Sequence, residues 1–459
     1  MNYNFRSYNP NQLYLLPPSL DDWLPQDHLA RFISETVDQM DLSALITAYR
    51  ANGQGSAAYH PAMMVKVLLY AYCIGIPSSR KIARAMIDDV AFRWLGTGNF
   101  PDFRTISEFR RKHLKALRSL FPQILLLCKT SGLVKAGVIA LDGTKVKANA
   151  SLSRNKTYEQ LSKEEAWIKE KVDALFTQAE KIDQEEDRLY GDRRGDELPE
   201  ELNSARKRLA KIRKAKEYLE EEARKQEAAK AEEIKARKRE ESQTGTKKRG
   251  RKPKAPDATV KDDAKVNMTD PESRIQKTSR GYIQGYNAQA VATEDQVIIA
   301  CEVVNEANDI HQLKPMLEQA QQNLSEIDVS SKTVLADAGY CSDDNLEYLE
   351  SKAEIEALIS TRKEQEMKKA ESTSDNTRCR SVRYKSMDRK LKKPVIRFIY
   401  GFRKWIIEPV FAHMKHCRGL TGFLLRGLEK AKGEFSLWCS AHNILKLYRY
   451  GSRKTAISA

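Results

Sequence analysis

The sequence predicts an α/β domain that follows an all-α region and is interrupted by a long, charged helical insertion. Apolar residues recur at helical spacing through residues 1–130, and a block dominated by Glu, Lys, Ala, Arg and Gln occupies about 155–240. Short aliphatic runs typical of buried strands lie on both sides of that block. We therefore divide the chain into a helical N-terminal domain at 1–130, a split α/β domain at 131–152 and 268–452, and an insertion at 153–267.

The composition points to a polyanionic partner. The chain has 459 residues, 31% of them charged, and a formal net charge of +16. Lysine and arginine side chains that neutralise phosphates release condensed counterions, so a surplus of this size favours nucleic acid. A ribosomal role, attraction to a membrane surface and unspecific basicity are the alternatives that the charge leaves open.

The cysteines and the apolar runs indicate the cellular compartment of the protein. The seven cysteines are scattered and form no Cys-x-x-Cys pair, which argues against a disulfide framework or a zinc ribbon and fits a reducing cytosol. No apolar run approaches the roughly 20 residues of a bilayer span, and the first residues show no signal pattern. We expect a soluble, cytoplasmic protein that associates with the nucleoid.

The N-terminal region carries the first predicted helices. The spacing predicts a largely apolar helix over 60–72, a break at a Gly-containing turn, and a second helix over 80–86 that Ser79 caps. A basic amphipathic helix is predicted to begin at Thr105. Two helices joined by a short turn resemble a helix-turn-helix.

The second helix of that pair carries three basic residues. Arg80, Lys81 and Arg84 would contact DNA if the pair is a helix-turn-helix, because the second helix of that motif lies in the major groove. An ordinary helical hairpin with a solvated basic face fits the same spacing.

The polar block predicts long helices exposed to solvent. Opposite charges recur three or four residues apart, as they do over 220–225, and such pairs stabilise isolated helices. We predict a helical hairpin that is broken over 190–195. It is either a solvated arm or a surface that pairs with a second protomer.

A basic stretch over 246–256 follows the helices and cannot fold as a regular element. Its Arg249-Gly250-Arg251 run resembles an AT-hook core, in which extended arginine side chains lie in a narrow minor groove. Lys252 separates this run from the proline that follows, so a basic linker is the alternative. Arg249 and Arg251 are candidate DNA contacts.

The α/β domain begins with a buried strand over 134–141 and resumes after the insertion with an antiparallel hairpin. Helices and strands then alternate, which predicts a mixed sheet flanked by helices. The elements predicted after the insertion are strands over 285–292, 296–304, 333–336 and 356–360, and helices near 310–325, near 343–352 and from about 395 onward.

Three acidic residues form the candidate site. Asp142 and Asp337 each follow a predicted strand, and Glu408 lies in a later helical region. Mg²⁺ takes oxygen ligands and is commonly held by one or two carboxylates together with substrate phosphates. Lys415 shares a helical face with Glu408 and is placed to meet a phosphate beside the metal. A turn or capping role for each aspartate, and a helix-start role for the glutamate, are the alternatives.

The segments around these acids resemble bacterial insertion-sequence DDE transposases with an InsH-type N-terminal domain. The matching segments are Asp142-Gly143-Thr144, Gly281-Tyr282 with Gly285-Tyr286-Asn287-Ala288-Gln289, Ala336-Asp337-Ala338-Gly339-Tyr340, Ile407-Glu408-Pro409 with Phe411 and Lys415, and Pro101-Asp102-Phe103-Arg104-Thr105-Ile106-Ser107 with Phe109-Arg110. The resemblance covers nearly the whole chain and is loosest in the insertion. It implies an RNase H-like catalytic domain, double-stranded DNA as the partner and a homodimer on DNA.

The resemblance also implies the chemistry. Asp142, Asp337 and Glu408 would be the catalytic ligands of two Mg²⁺ ions, for which Mn²⁺ could substitute, with Asp142 shared between the two ions. The reaction would be cleavage of element ends and strand transfer into target DNA. A non-catalytic DNA-binding regulator and an RNase H-like nuclease are the alternatives.

The motif around the glutamate departs from the family's pattern. Many relatives carry Tyr-x-x-Arg-x-x-x-Glu-x(6)-Lys, and here Glu408 and Lys415 keep their spacing. Tyr400 and Arg403 lie one residue too far upstream, and Lys404 occupies the expected arginine position. The resemblance therefore implies DNA contacts for Lys415, Arg403 and Lys404. Either Arg403 or Lys404 could take the role of the family's arginine, because the first has the residue type and the second has the position.

Overall fold

A computed structural model describes residues 19–49, 57–190, 200–244, 255, 257–352, 355–361 and 381–458 of the chain. The N-terminal part is helical. Its helices are α1 (Leu20–Trp23), α2 (Leu29–Asp38), α3 (Ser43–Ile46), α4 (Pro61–Cys73), α5 (Ser79–Asp88), α6 (Val90–Gly96), α7 (Phe103–Lys112), α8 (Leu114–Arg118) and α9 (Leu120–Thr130).

The rest of the described chain combines strands and helices. The strands are β1 (Val138–Lys147), β2 (Asn155–Thr157), β3 (Lys265–Asn267), β4 (Arg274–Thr278), β5 (Gly281–Thr293), β6 (Ile298–Val304), β7 (Thr333–Ala336) and β8 (Glu356–Ile359). The helices are α10 (Tyr158–Tyr190), α11 (Glu200–Thr244), α12 (Leu313–Glu326), α13 (Asp343–Glu350), α14 (Val382–Lys392), α15 (Pro394–Ile406), α16 (Glu408–Ala412) and α17 (Leu428–Ser458).

The apolar helix predicted over 60–72 is confirmed as α4, which is buried on nearly every side because its sequence is apolar all round. The predicted cap of the next helix is wrong by one residue, since the N-cap of α5 is Ser78. Ser79 is buried instead, and its hydroxyl accepts a hydrogen bond of 3.3 Å from Nη2 of Arg110. A tertiary contact therefore uses the hydroxyl that the pattern assigned to the cap.

The neighbours of α4 and α5 differ. Helix α5 packs mainly on α6 and α7, whereas α4 packs mainly on α2, α6 and α17. The predicted basic helix over 105–112 is confirmed as the greater part of α7, which begins two residues earlier because Asp102 caps it.

A mixed sheet flanked by helices, as predicted, forms the centre of the α/β part. Its strand order is β4-β5-β1-β7-β8, and β6 pairs with β5 beyond the stretch that β4 occupies. The pairs β1–β5, β4–β5 and β5–β6 are antiparallel, and the pairs β1–β7 and β7–β8 are parallel. Helix α12 packs on β5 and β6, α17 on β6, and α15 on β1 and β7.

The predicted hairpin is confirmed as β5 and β6, but β5 begins at Gly281 because its first residues pair with β4. Strand β4 was not predicted, because Gln276 is the one buried residue in it and no alternation marks it. The strand predicted over 134–141 is displaced, since β1 covers Val138–Lys147. Its polar second half stays in the sheet because every residue from 142 to 147 remains paired with β5.

The charged insertion forms two long helices, as predicted, and the break predicted over 190–195 lies outside the described residues except for Tyr190, the last residue of α10. Pairs such as Lys163–Glu159 (2.6 Å) and Lys225–Glu221 (2.7 Å) run along the helices at four-residue spacing. Helices α10 and α11 pack on each other around Leu161 and Ile212 in a hydrophobic cluster of their own.

One larger hydrophobic cluster joins the N-terminal helices to the sheet. Helix α17 provides the link, because it packs on α4, α8 and α9 as well as on β6. The rings of Tyr72 in α4 and Trp438 in α17 meet edge to face with centroids 5.1 Å apart. None of the helices in the described residues has both the length and the apolar run that a bilayer span requires.

Candidate active site

Asp142 and Asp337 lie at one edge of the parallel pairing. The last parallel partners are Leu141 in β1 and Ala336 in β7, and each aspartate is the next residue of its chain. The prediction that Asp142 ends its strand is wrong, because β1 continues with β5 as its neighbour and pairs Asp142 with Ala290. The prediction that Asp337 ends its strand is confirmed. The two residues still meet at one point, where the parallel ladder stops.

Asp337 also forms a local cap. Its Oδ1 accepts a hydrogen bond of 2.9 Å from the backbone N–H of Gly339, at the start of a single 3₁₀ turn over Ala338–Tyr340. Oδ1 of Asp142 accepts one of 2.8 Å from the N–H of Gly143. Each aspartate is thus oriented by a glycine that follows it closely in the chain.

Arg403 connects Asp142 to Glu408. Its Nη1 donates to Oδ2 of Asp142 at 2.9 Å, and its Nη2 donates to Oε1 of Glu408 at 3.1 Å. The side chains of Arg403 and Asp142 are 11% and 20% exposed, so their contact is made largely out of water, whereas the side chain of Glu408 is 48% exposed. The planar guanidinium suits this role because its N–H groups have fixed directions.

A break in the helix explains the shifted motif. Helix α15 ends at Ile406 and α16 starts at Glu408, with Ile407 between them. Arg403 therefore reaches Glu408 although it lies one residue farther upstream than in the usual pattern. Lys404, at the expected arginine position, is exposed. The structure places Arg403, and not Lys404, among the acids.

Burial and charge act on the two aspartates together. Burial raises the pKa of Asp142 to about 6, Arg403 opposes this shift, and the neighbouring charge of Asp337 adds to it. The pKa of Asp337 is also raised, by burial first, while the N–H of Gly339 and the charge of Arg403 hold it down. Bringing a second positive charge to this site would therefore favour the ionised form of both side chains.

Lys415 lies in a π-helical turn over His413–Cys417. Its Nζ donates to the hydroxyl of Thr144 and, at 2.9 Å, to the carbonyl of Lys145, both in the second half of β1. Burial lowers the pKa of the Lys415 ammonium. In this structure Lys415 stabilises the strand that carries Asp142.

A fourth acid, Asp309, lies beside the site and was not among the predicted residues. Its Oδ1 accepts hydrogen bonds from Nδ2 of Asn287 (2.6 Å) and Nε2 of Gln289 (2.7 Å), and Nζ of Lys145 is 3.6 Å away. Gln289 in turn accepts from the hydroxyl of Tyr340. Asp309 follows strand β6 by five residues, so the rule that singled out acids directly after strands did not reach it.

Glycines allow Asp309 to approach both aspartates. A Cβ on Gly143 would lie 2.4 Å from Nε2 of Gln289 and 2.9 Å from Oδ1 of Asp309. A Cβ on Gly339 would lie 3.4 Å from Oδ2 of Asp309. The carboxylate of Asp309 thus lies between the residues that follow Asp142 and Asp337.

The side chains suit a hard cation by type. Asp142, Asp337 and Glu408 offer carboxylate oxygens, the ligands that Mg²⁺ prefers. The side-chain amide of the fully buried Asn287 donates to Asp309 through Nδ2, while its Oδ1 has no hydrogen-bond partner in the described part of the chain. Within the described ranges, however, no three His, Cys, Asp or Glu side chains lie close enough together to hold a metal ion. The donor set thus fits a divalent cation by residue type, and in this structure Arg403 provides the positive charge between Asp142 and Glu408.

Three of the predicted basic contacts belong to the N-terminal helices. Arg80, Lys81 and Arg84 are exposed on α5. The guanidinium of Arg80 lies over the ring of Phe103 at 5.2 Å, and that of Arg84 pairs with Asp88 at 2.7 Å. Arg249 and Arg251 lie outside the described residues.

Comparison with protein families gives two matches. A model described as "Transposase domain (DUF772)" matches residues 18–112, and one described as "Transposase DDE domain" matches residues 249–444. The second range contains Asp337, Arg403 and Glu408, while Asp142 precedes it. Comparisons with curated proteins and with solved structures gave no match.

Proposed function

Because the chain belongs to the insertion-sequence DDE transposases, we propose that it binds the ends of its element and catalyses DNA cleavage and strand transfer there. The observation that carries this proposal is the grouping of Asp142, Glu408 and Arg403, with Asp337 where the parallel ladder stops. Asp142 and Glu408 are 266 positions apart in numbering, and one guanidinium contacts both. Such a grouping of acids from distant parts of a chain is typical of a catalytic site.

Asp142, Asp337 and Glu408 are the proposed ligands of two Mg²⁺ ions, or of Mn²⁺ in their place, with Asp142 as the shared ligand. Bound there, the cations would activate water or a DNA 3′-hydroxyl and stabilise the leaving oxygen of an in-line displacement. The chain's own contribution is to orient the carboxylates. Arg403 fixes Asp142 and Glu408, the N–H groups of Gly143 and Gly339 orient the two aspartates, and Lys415 holds the strand.

The fold of the catalytic part is, on this proposal, RNase H-like. The mixed sheet with antiparallel and parallel strands and its flanking helices support it. We propose the domain division given above for the whole chain, with residues 1–130 binding DNA and 153–267 as an insertion. Because α17 packs on the N-terminal helices and on β6, the N-terminal domain and the catalytic domain would share one core.

The partners proposed are double-stranded element ends, target DNA and a second copy of the chain on that DNA, in association with the nucleoid. The net charge of +16 supports DNA binding. Lys404 is exposed beside the site and remains a candidate phosphate contact. In this structure Arg403 donates to Asp142 and Lys415 donates to the carbonyl of Lys145. A DNA phosphate would therefore have to share these two side chains with their present acceptors.

Labelled element-end DNA incubated with Mg²⁺ tests the proposal. We expect nicks with 3′-hydroxyl ends and joined products, both lost in EDTA and restored by Mn²⁺. Asp142→Asn should abolish both products and leave end binding largely intact, whereas Asp344→Asn, on the exposed face of α13, should match the wild type. Nicks without joining would indicate a nuclease, binding alone would indicate a regulator, and cleavage by the Asp142→Asn protein would refute the assignment.

A further inference from the structure

A pocket of about 590 Å³ lies between α5 and α7, away from the acids. Four arginines line it: Arg80, Arg104, Arg110 and Arg111. The acid among its lining residues, Glu108, is already paired with Lys112 at 2.8 Å and with Arg111 at 3.8 Å. The pocket therefore has a strong excess of positive charge.

The start of α5 contributes free donors to this pocket. Ser78, Ser79 and Arg80 line it, and the Ser78 N-cap makes no side-chain hydrogen bond to the helix. Within the described residues the first intrahelical bond runs from the N–H of Ile82 to the carbonyl of Ser78. The N–H groups of the first turn point to the N-terminal end, where the helix dipole favours an anion.

Arg110 is an independent sign of a ligand. It is 2% exposed, and its Nη1 donates to the Tyr72 hydroxyl at 2.9 Å and to the carbonyl of Pro77 at 2.8 Å. Among the residues that the structure describes, its Nε has no hydrogen-bond partner. The charge of the fully buried Glu434 also acts on Arg110. No carboxylate of the described residues lies within ion-pair distance of this guanidinium, so an anion in the pocket would stabilise it further.

The rim carries two further guanidiniums. Those of Arg80 and Arg104 lie over the same ring, Phe103, at 5.2 and 5.7 Å. Neither arginine forms an ion pair within 4 Å among the described residues, although the charge of Asp102 acts on Arg104 from farther away. One exposed aromatic ring thus lies against two arginine side chains that line the same pocket.

The pocket is connected to the strand that carries Asp142. Leu424 lines it, and the carbonyl of Leu424 accepts a hydrogen bond of 2.7 Å from Nδ2 of Asn149, two residues beyond β1. From Asp142 to the end of β1 is roughly 17 Å at about 3.3 Å per residue, which is the length of about five base pairs of duplex DNA. The pocket and Asp142 are thus joined by one connected segment, and we take a single duplex to contact both.

We propose that the pocket between α5 and α7 binds a backbone phosphate of the element-end duplex, several base pairs inside the cleavage position. The N–H groups of α5 and the guanidiniums of Arg80 and Arg104 are its donors, and Arg110 provides the buried charge behind them. The inference rests on the proposed function, because it takes DNA to be the substrate. It adds Arg104, Arg110 and the helix start to the residues predicted from the sequence.

DNA affinity measured in EDTA, where no cleavage occurs, tests the site alone. The double variant Arg80→Ala, Arg104→Ala should bind element-end DNA more weakly, and the slope of log affinity against log salt should become shallower by about one per lost phosphate contact. Arg93→Ala is the matched control, since Arg93 lies over the ring of Phe100 at 5.9 Å, outside the pocket. An unchanged affinity and slope in the double variant would overturn the proposal.

A negative charge introduced at the start of α5 distinguishes an effect on DNA binding from an effect on folding. Ser78→Asp supplies a strong N-cap, so thermal stability should be kept or raised. DNA affinity should nevertheless fall roughly tenfold or more, because the new carboxylate repels phosphate at close range. Ser119→Asp places the same charge at the N-cap of α9, which also lacks a side-chain cap bond, and should bind as the wild type does. Equal losses in both variants would show a general charge effect and refute the site.

Inorganic phosphate distinguishes a DNA site from a site for free anions. Phosphate should raise the unfolding temperature of the wild type, and compete with DNA, but do neither in Ser78→Asp. If the pocket variants lose the phosphate effect and keep full DNA affinity, the proposal is overturned in favour of a free anion. Cleavage at saturating DNA with Mg²⁺ is scored separately, so failure of the catalytic proposal remains distinguishable from failure of this one.

Discussion

Arg403 donates a hydrogen bond of 2.9 Å to Asp142, and both side chains are largely buried. Arg403→Ala should leave the Asp142 carboxylate without its partner, which costs about 3–5 kcal/mol for a buried pair. Arg403→Lys should recover part of the stability but not the cleavage activity, because an ammonium lacks the fork that reaches both Asp142 and Glu408.

Urea unfolding and the cleavage assay measure these two effects. Lys404→Ala, at the exposed neighbouring position, should change the free energy of unfolding by less than about 1 kcal/mol. Equal stability of Arg403→Ala and the wild type would contradict the structural role of the pair.

The pKa of Asp142 predicts how metal-free stability depends on pH. Its folded-state value of about 6 lies above the ordinary 3.8, chiefly because of burial. The stability that the protonated carboxyl contributes is therefore fully present below pH 3.8 and is lost as the pH rises through 6. Asp142→Asn does not titrate, so in EDTA its unfolding free energy relative to that of the wild type should rise by roughly 3 kcal/mol between pH 4 and pH 8.

This difference should shrink steadily as the pH falls to 4, and chemical denaturation at several pH values measures it. Parallel stability profiles for the two proteins between pH 4 and 8 would mean that the carboxylate is not buried as described.

Asp309 should act as a positioning residue. Asp309→Asn removes the charge that Lys145, Asn287 and Gln289 surround, and such outer contacts of a metal site typically change metal affinity or activity by about 10–100-fold. We expect kcat and Mn²⁺ affinity, followed by Mn²⁺ electron paramagnetic resonance, to fall while the affinity for DNA is unchanged.

Gly143→Ala should give a similar loss by another route, because its Cβ would meet Nε2 of Gln289 at 2.4 Å. Asp328→Asn, in the loop after α12, is the control for loss of one negative charge. A loss of DNA affinity equal to the loss of kcat would argue against a positioning role.

The insertion should unfold by itself. Ile212 is fully buried in the small cluster between α10 and α11, which is separate from the main cluster. Ile212→Ala should destabilise the hairpin by about 2–5 kcal/mol, with little effect on the sheet. Hydrogen exchange should therefore become faster in α10 and α11 and stay slow in β1, whereas Leu68→Ala in α4 should affect the main core. Uniformly faster exchange in the Ile212 variant would show that the two clusters unfold together.

Local patterns predicted the elements well where burial follows a simple period. The apolar α4, the hairpin β5–β6 and strand β7 each bury a regular set of residues, so spacing alone identified them. Strand β4 buries only Gln276 and is held by its pairing with β5, which local pattern does not reveal. The extension of β1 beyond Leu141 depends on that same kind of pairing.

The candidate site was predictable only in part for the same reason. Asp337 follows a short buried strand, and that position identified it. The choice of Arg403 over Lys404 depends on the helix break at Ile407, and the role of Asp309 depends on side chains from β1 and β5. Both are contacts between distant parts of the chain, which sequence spacing does not encode.

The packing of helix α17 bears on how the protein would position DNA. It is wedged between α4 and α9 on one side and β6 on the other, and Tyr72 and Trp438 meet inside that layer. Dense packing of this kind resists hinge motion. The protein should therefore fix the distance between the helices proposed to bind DNA and the acids. Cleavage would then occur at a constant number of base pairs from the phosphate bound between α5 and α7. Inserting base pairs between that phosphate and the original cleavage position should move the cut by the same number of base pairs along the DNA sequence.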